Sequence, residues 1–444
     1  MTTSPTGTPA TPAAPYGPAY ANIALSRPGK IDLIKIGDSL AATAWFFVIA
    51  VAGAPMFFNS PIITLVRYLV AGYFFVGLFL YPSKLWPTAA RGWVAFLLPV
   101  MCIISSLWAP YPSEAIRKGV MLGMTAIASV YFAGKVTPRT FFYGYFAAEF
   151  VCMVLSYLQP HYDEGVLVGI FVQKNVIAVN MFFLFATGLT LALDSVMPLY
   201  WRALGALSVP LAFVLIVLSK SATTIALSGA CAAGLLVQAF VWQPASRVRH
   251  MRSFLILLAA MLLSTIVLVV FGIIQLDAKS SVLELLGKDS SLTGRTYLWD
   301  QARQIMRDNP LTGVGANGFW HPERGQADSI TKYFFYKHFV PFNFHNSYFE
   351  NGVQLGFPGM YVTILLAAWG LFNGIRTWIQ KQDLFNMAFL ILCGLIVIRS
   401  NTEIDLAIEF STVILVHVAG MRRNEKPAPS PVMAQPAPAS NRSE

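Results

Sequence analysis

Apolar stretches of about 17 to 25 residues recur through most of the chain, each long enough to cross a hydrocarbon layer of about 30 Å as a helix. Inside a bilayer the backbone must satisfy its own polar groups, and a helix does so. The predicted spans lie near 39–57, 61–81, 93–109, 119–134, 141–159, 175–193, 203–219, 223–242, 253–274, 356–375, 385–399 and 405–421. With 12% charged residues and a mean hydropathy of +0.60, a water-soluble domain of 444 residues would lack the polar surface to cover itself. The expected fold class is all-α, a polytopic membrane helix bundle of about twelve transmembrane helices.

The spans divide the chain. Residues 1–38 and 422–444 are Pro- and Ala-rich and read as disordered tails. The first lacks the basic start and apolar core of a signal peptide. Between them lie 39–274 with nine spans, one large loop at 275–355, and 356–421 with three more. The four cysteines all fall inside spans, where a thiol behaves as a small apolar residue. Lys and Arg concentrate in alternate connections, among them "RVRHMR" at 247–252. By the positive-inside rule both termini are then cytoplasmic and the 275–355 loop is external.

Some cations break that rule. Arg117, Lys118, Lys174 and Lys220 sit in short connections on the external side. A Lys or Arg at full membrane depth costs about 2.5 to 3.5 kcal/mol, so an anionic partner is expected nearby. Snorkelling to lipid phosphates explains any one of them. Together with Arg295, Arg303 and Arg307 they favour a shared anionic ligand.

In the large loop, Leu298, Ala302, Ile305 and Met306 have the spacing of one helical face. Thr293 suits a cap and Asn309-Pro310 a stop. The following "LTGVGANGFW" matches G-x-G-x-x-G at Gly313, Gly315 and Gly318, but a nucleotide fingerprint needs a strand before it and a helix after it. Here a helix precedes it, so the glycines are expected to serve tight turns. Next, "FNFHNSYFENGVQLG" (342–356) sets His345, Asn346 and Glu350 as H-N-x-x-x-E among aromatic residues just before a span. An interfacial His there also suits a carbonyl hydrogen bond in an aromatic belt. The acid-x-acid pair Glu403-Ile404-Asp405, at the outer end of the last span, is expected to partner Arg399. Glu149, at membrane depth in the fifth span, has no assigned partner.

The order "SSLWAPYPSEAIRKG", "GIFVQKN", "SKSATT", "LTGRTYLW", "NPLTGVGANGFW" and "HNSYFENGVQLGFPG" resembles the O-antigen ligase and Wzy-type polysaccharide polymerase superfamily, closest to its ExoQ-like exopolysaccharide branch. The resemblance implies a GT-C-like ligase/polymerase fold with a large periplasmic loop in the bacterial inner membrane. It also implies a metal-independent glycosyltransferase without a cofactor, using an undecaprenyl-pyrophosphate-linked oligosaccharide as donor. His345 would be the general base and Arg295 the pyrophosphate clamp. Arg117, Lys174, Lys220, Asn346 and Glu350 would bind substrate. Membrane lipid, a flippase and a chain-length regulator of the same pathway are the expected partners, and nucleic acid is not. The chemistry agrees independently. Glycosyl transfer needs a base for the acceptor hydroxyl and cations for the leaving diphosphate, and a guanidinium fits phosphate oxygens in bidentate fashion. A ligase acting on lipid A core, and a flippase of a different class, are the alternatives. A flippase built from two similar halves is disfavoured because no internal repeat is visible.

Overall fold

The computed structural model describes residues 33–58, 60–257, 261, 294–334, 338–339, 342–408 and 412–424. The expected tails at 1–32 and 425–444, most of the 253–274 span and the proposed Thr293 cap lie outside the described residues. The principal helices are α1 (Leu33–Ala50), α2 (Pro61–Leu80), α3 (Pro82–Arg91), α4 (Leu97–Ser105), α5 (Pro112–Gly134), α6 (Pro138–Leu158), α7 (Lys174–Leu193), α8 (Leu199–Leu218) and α9 (Ala222–Leu236). They continue with α10 (Arg295–Asp308), α11 (Gly325–Tyr333), α12 (Ser347–Gln380), α13 (Leu384–Arg399) and α14 (Val413–Met421). One hairpin, β1 (Tyr162–Asp163) against β2 (Val166–Leu167), interrupts the connection from α6 to α7.

Among the described residues, seven helices are long and apolar enough to cross a membrane, or eight if the bent pair at 82–105 counts as one span. The chain is therefore a multi-pass membrane protein. The expectation of about twelve spans is not reached by this measure. The predicted 93–109 span is half of a pair of helices bent by 75°. Gly92 stands at that break, and Pro87 lies inside the preceding helix. The predicted 385–399 and 405–421 spans appear as helices of 16 and 9 residues.

Local sequence sets the helix starts. Ser60 and Thr137 accept hydrogen bonds from Ile63 N and Thr140 N, each just ahead of a proline in the first turn. Asp383 caps α13 in the same way. Large rings fill the core, with Phe46 stacked on Tyr145 at 4.3 Å. Small residues let helices approach closely: a Cβ on Gly205 would lie 2.6 Å from the Gly188 carbonyl, across the α7–α8 contact.

The glycine-rich turn docks on the start of α12. Gly313 and Gly315 have φ of 62° and 92°, and a Cβ on Gly313 would meet the 354–356 backbone at 2.5 Å. Val314 N and Gly315 N donate to the Val353 and Gln354 carbonyls at 3.0 and 2.9 Å. The turn reading of these glycines holds, because only glycine allows that approach. Opposite them α12 breaks at Gly356 (φ 71°), where Phe357 N donates to the Pro310 carbonyl at 2.8 Å. Residues 347–355 thus form a helical platform ahead of the longer part of α12.

Candidate functional site

The 313–317 and 400–406 turns converge on that platform. Asn346 caps α12, its Oδ1 accepting from Tyr348 N and Phe349 N at 2.9 and 3.1 Å. Its Nδ2 donates to the Asn401 carbonyl at 3.0 Å. Ser347 N donates to the Ser400 carbonyl, and Ser347 Oγ bonds Glu403 O and Leu406 N, all within 3.0 Å. The start of α12 and the 400–406 turn are locked together, and this fixes Glu403 against His345.

His345 is held in the left-handed region, φ 47°, with its N–H donating to Asn343 Oδ1 at 2.8 Å. A bulky residue there carries backbone strain that the surrounding bonds must hold. Its Nδ1 is 3.5 Å from Glu403 Oε2. That is ion-pair distance rather than a hydrogen bond, and this buried nitrogen makes no hydrogen bond among the described residues.

α10 brings the second group. Its buried face is Leu298, Ala302, Ile305 and Met306, the stripe read from the sequence. Gly294, with φ 78°, stands immediately before the helix, and Thr293, the expected cap, lies outside the described residues. Trp299 Nε1 donates to the Phe344 carbonyl at 3.0 Å, pinning α10 beside His345. Arg295 Nη2 then reaches Glu403 Oε1 at 3.3 Å, and Asn175 Nδ2 reaches the same oxygen at 3.1 Å. Arg295 and His345 therefore meet on the two oxygens of one carboxylate.

Sequence reasoning missed Glu403 as that bridge. Of the acid-x-acid pair, Asp405 takes Arg399 as expected, while Glu403 takes the other two groups. Burial pushes the Glu403 carboxyl up, but His345, Arg399 and Arg295 outweigh it and hold it below the ordinary Glu range.

Two cavities flank this cluster. One, of about 230 Å³, is lined by His345, Arg399, Glu403 and Asp405 and by apolar residues from α1 and α7 such as Ile49 and Val176. Arg295 touches Glu403 without lining it. The other, of about 490 Å³, is lined by Arg117, Lys118, Trp320, His321, Glu350 and Gln354, among others. Asn343, Ile404 and Ile408 line both.

The remaining candidates separate. Glu350 is buried and accepts from Phe344 N at 3.0 Å and Gln354 Nε2 at 2.7 Å, so it braces the His345 loop from below. Arg117 is exposed at the rim of the larger cavity and paired with Glu114 at 3.1 Å. Its neighbour Lys118 is the buried cation, with Nζ 2.7 Å from Gln354 Oε1. Lys174 and Lys220 are exposed and line neither cavity, Lys220 with φ 52°. The cations nearest His345 are matched by carboxylates, so the all-cationic hollow suggested by charge counting is instead a set of ion pairs.

A family model described as O-antigen ligase matches residues 207–364, a range that holds Lys220, Arg295, His345, Asn346 and Glu350. The chain is also 26% identical over 341 residues to the exopolysaccharide production protein ExoQ of Rhizobium meliloti (strain 1021), covering 73% of each. Both findings support the O-antigen ligase/ExoQ-like family. They likewise support a function of the O-antigen ligase/polymerase type, related to exopolysaccharide. Arg117, Lys174 and Glu403 lie outside the matched range, and Glu403 enters the cluster only through the fold.

Proposed function

We propose that the chain is a glycan polymerase of the bacterial inner membrane, with this site on the periplasmic side and both termini in the cytoplasm. It transfers a polyprenyl-pyrophosphate-linked oligosaccharide onto a sugar hydroxyl of a second lipid-linked repeat unit. His345 Nε2 takes the proton of the acceptor hydroxyl as its oxygen attacks the anomeric carbon. The bond from that carbon to the diphosphate breaks, and the electron pair leaves with the polyprenyl diphosphate. The proton stays on the imidazole until released to water.

What supports this reading most is the meeting of Arg295 and His345 on Glu403, at 3.3 and 3.5 Å, from positions far apart in the chain. A carboxylate facing Nδ1 fixes the tautomer in which Nε2 carries the lone pair, and it stabilises the imidazolium that forms. Arg295 and Arg399 are the guanidinium groups placed to meet the developing diphosphate charge. They meet it by exchanging a carboxylate partner for a phosphate one. Glu403 and Asp405 are committed to these cations and to Asn175, which favours a metal-independent reaction. Asn346 and Glu350 act as positioning residues for the His345 loop. Lys174 and Lys220 steer the anionic donor from the exposed rim.

Polymerisation is preferred to ligation because the relative is named for exopolysaccharide production. Transfer to a lipid A core by the purified protein, without chain elongation, would contradict it. The transferase reading is tested in cells carrying His345→Ala. Lipid-linked repeat units accumulate on the outer face of the membrane if it is correct. Units trapped on the inner face would instead indicate a flippase.

A further inference from the structure

The end of the bundle away from His345 gathers three arginines from segments far apart in the chain. Gly92 packs on Met421, where a Cβ on the glycine would lie 2.4 Å from the methionine Cε, so the end of α3 abuts the end of α14. This sets Arg91 beside the 422–424 segment. That segment is in turn laid along α12, with Arg423 Nη2 donating to Asn373 Oδ1 at 3.0 Å and Asn424 Nδ2 to the Thr377 carbonyl at 2.9 Å. Asn373 lies one helical turn before Arg376, and Thr377 is next to it. Arg91, Arg376 and Arg423 thus share one surface.

No carboxylate meets them among the described residues. Arg91 donates to the Thr88 hydroxyl at 2.9 Å, and Arg423 to the Arg422 carbonyl at 2.8 Å as well as to Asn373. Arg376 is exposed and makes no hydrogen bond among the described residues. The acids at this end are committed elsewhere, Asp38 to Lys135, Asp194 to Arg139 and Asp383 to Lys381. A topology signal needs only basic residues spread over the connections, not their convergence. Like charges brought together repel, the more so where one is half-buried. Burial, Arg376 and Arg91 accordingly hold the Arg423 guanidinium below the ordinary arginine value. A bound anion relieves such repulsion and so stabilises the fold.

The surroundings select the source of the anion. Phe372, Ile375 and Ile379, all exposed, share with Arg376 one face of α12, and exposed Trp86 and Trp93 flank Arg91. In a multi-pass chain an apolar face of this kind meets acyl chains, with tryptophan and arginine at its end lying at headgroup level. From Phe357 to Arg376 α12 runs about 30 Å, one hydrocarbon thickness from the His345 end.

We infer that Arg91, Arg376 and Arg423 form a binding site for the phosphate of an anionic membrane lipid, in the leaflet opposite the one facing His345. The site does not depend on the transferase reading.

The full chain in neutral detergent is titrated with cardiolipin, with phosphatidylcholine and inorganic pyrophosphate as comparison probes. Native mass spectrometry reads bound lipid, and tryptophan fluorescence reads the thermal midpoint. The wild type should retain cardiolipin and melt higher with it, and phosphatidylcholine should do neither. The double variant Arg91→Gln/Arg376→Gln, at two exposed positions outside any ion pair, should bind cardiolipin about tenfold more weakly. Without lipid it should melt no lower than the wild type, because the repulsion on Arg423 is relieved. Lys381→Gln, an exposed lysine paired with Asp383 at the same end, should bind cardiolipin as the wild type does. Equal cardiolipin affinity in the wild type and the double variant overturns the site. So does equal weakening by Lys381→Gln, which would show diffuse surface charge. A lower lipid-free midpoint in the double variant would mean that the arginines serve the fold and not a ligand. Protection by pyrophosphate as strong as by cardiolipin would overturn the lipid assignment in favour of a soluble phosphate.

Discussion

The two ends of the helix bundle handle buried charge in opposite ways. At the end away from His345, Asp38 accepts from Tyr73 at 2.9 Å, Tyr131 at 2.7 Å and Lys135 at 3.4 Å, so both of its oxygens are engaged. Asp194 there takes Arg139 through two bonds, at 2.7 and 3.2 Å, and a backbone N–H as well. At the His345 end, the imidazole Nδ1 faces Glu403 Oε2 at 3.5 Å without a hydrogen bond, and a residue with φ 47° carries the imidazole. A fully satisfied network stabilises a fold and resists rearrangement. An under-satisfied, strained one is kept where a ligand completes it.

Substitutions at the two ends should therefore separate activity from stability. The largest effect is expected for His345→Ala, which removes the proposed base. Polymer formation by the reconstituted protein should fall about 10²- to 10⁴-fold while the thermal midpoint holds. Next comes Glu403→Gln, which keeps size and removes the charge that orients the imidazole. Turnover should fall about 10- to 100-fold with little change in KM, as for an interaction made mainly in the transition state.

The same variant changes the acid limb of stability. The Glu403 carboxyl is held below its ordinary value of 4.5, so its ionised form stabilises the fold. That contribution is full above the ordinary value and disappears as the pH falls through the lowered one. Melting of the wild type in detergent should drop between about pH 5 and pH 3 by more than that of Glu403→Gln. Equal slopes would show that the carboxylate is not held by its neighbours.

At the far end the order reverses. Asp38→Ala leaves Tyr131 without its acceptor and should cost about 1 to 3 kcal/mol of stability, with turnover per folded molecule unchanged. The smallest effects belong to Lys174→Gln and Lys220→Gln. Each should raise KM for the lipid-linked donor about two- to threefold at low salt, an increase that disappears at high ionic strength. A loss of kcat in either would move that lysine into the site.

Much of this comparison was legible in the sequence. Hydropathy located most of the described helices, and a four-residue apolar stripe gave the buried face of α10, because both depend on local spacing. The glycine turn was legible for the same reason. The Glu403 bridge was not. Its acid-x-acid setting was visible, but which cation each acid takes depends on the 400–406 turn being clamped to Ser347, a contact between distant segments. Counting cations by connection assigned Arg117, Lys118, Lys174 and Lys220 to one side of the membrane. It carries no information on direction or depth, so it could not single out Lys118, the one of the four that is buried. The break at Gly92 had its signals in Pro87 and Gly92, which a hydropathy window averages away.

The central claim is that His345 acts through Glu403 as one unit, and a double-mutant cycle on single-turnover glycan transfer tests it most directly. With His345→Ala, Glu403→Gln and the combined variant assayed on the same lipid-linked repeat unit, the combined loss should be no greater than that of His345→Ala alone. Losses that multiply would mean that the carboxylate and the imidazole contribute independently, and the shared-carboxylate account would be wrong.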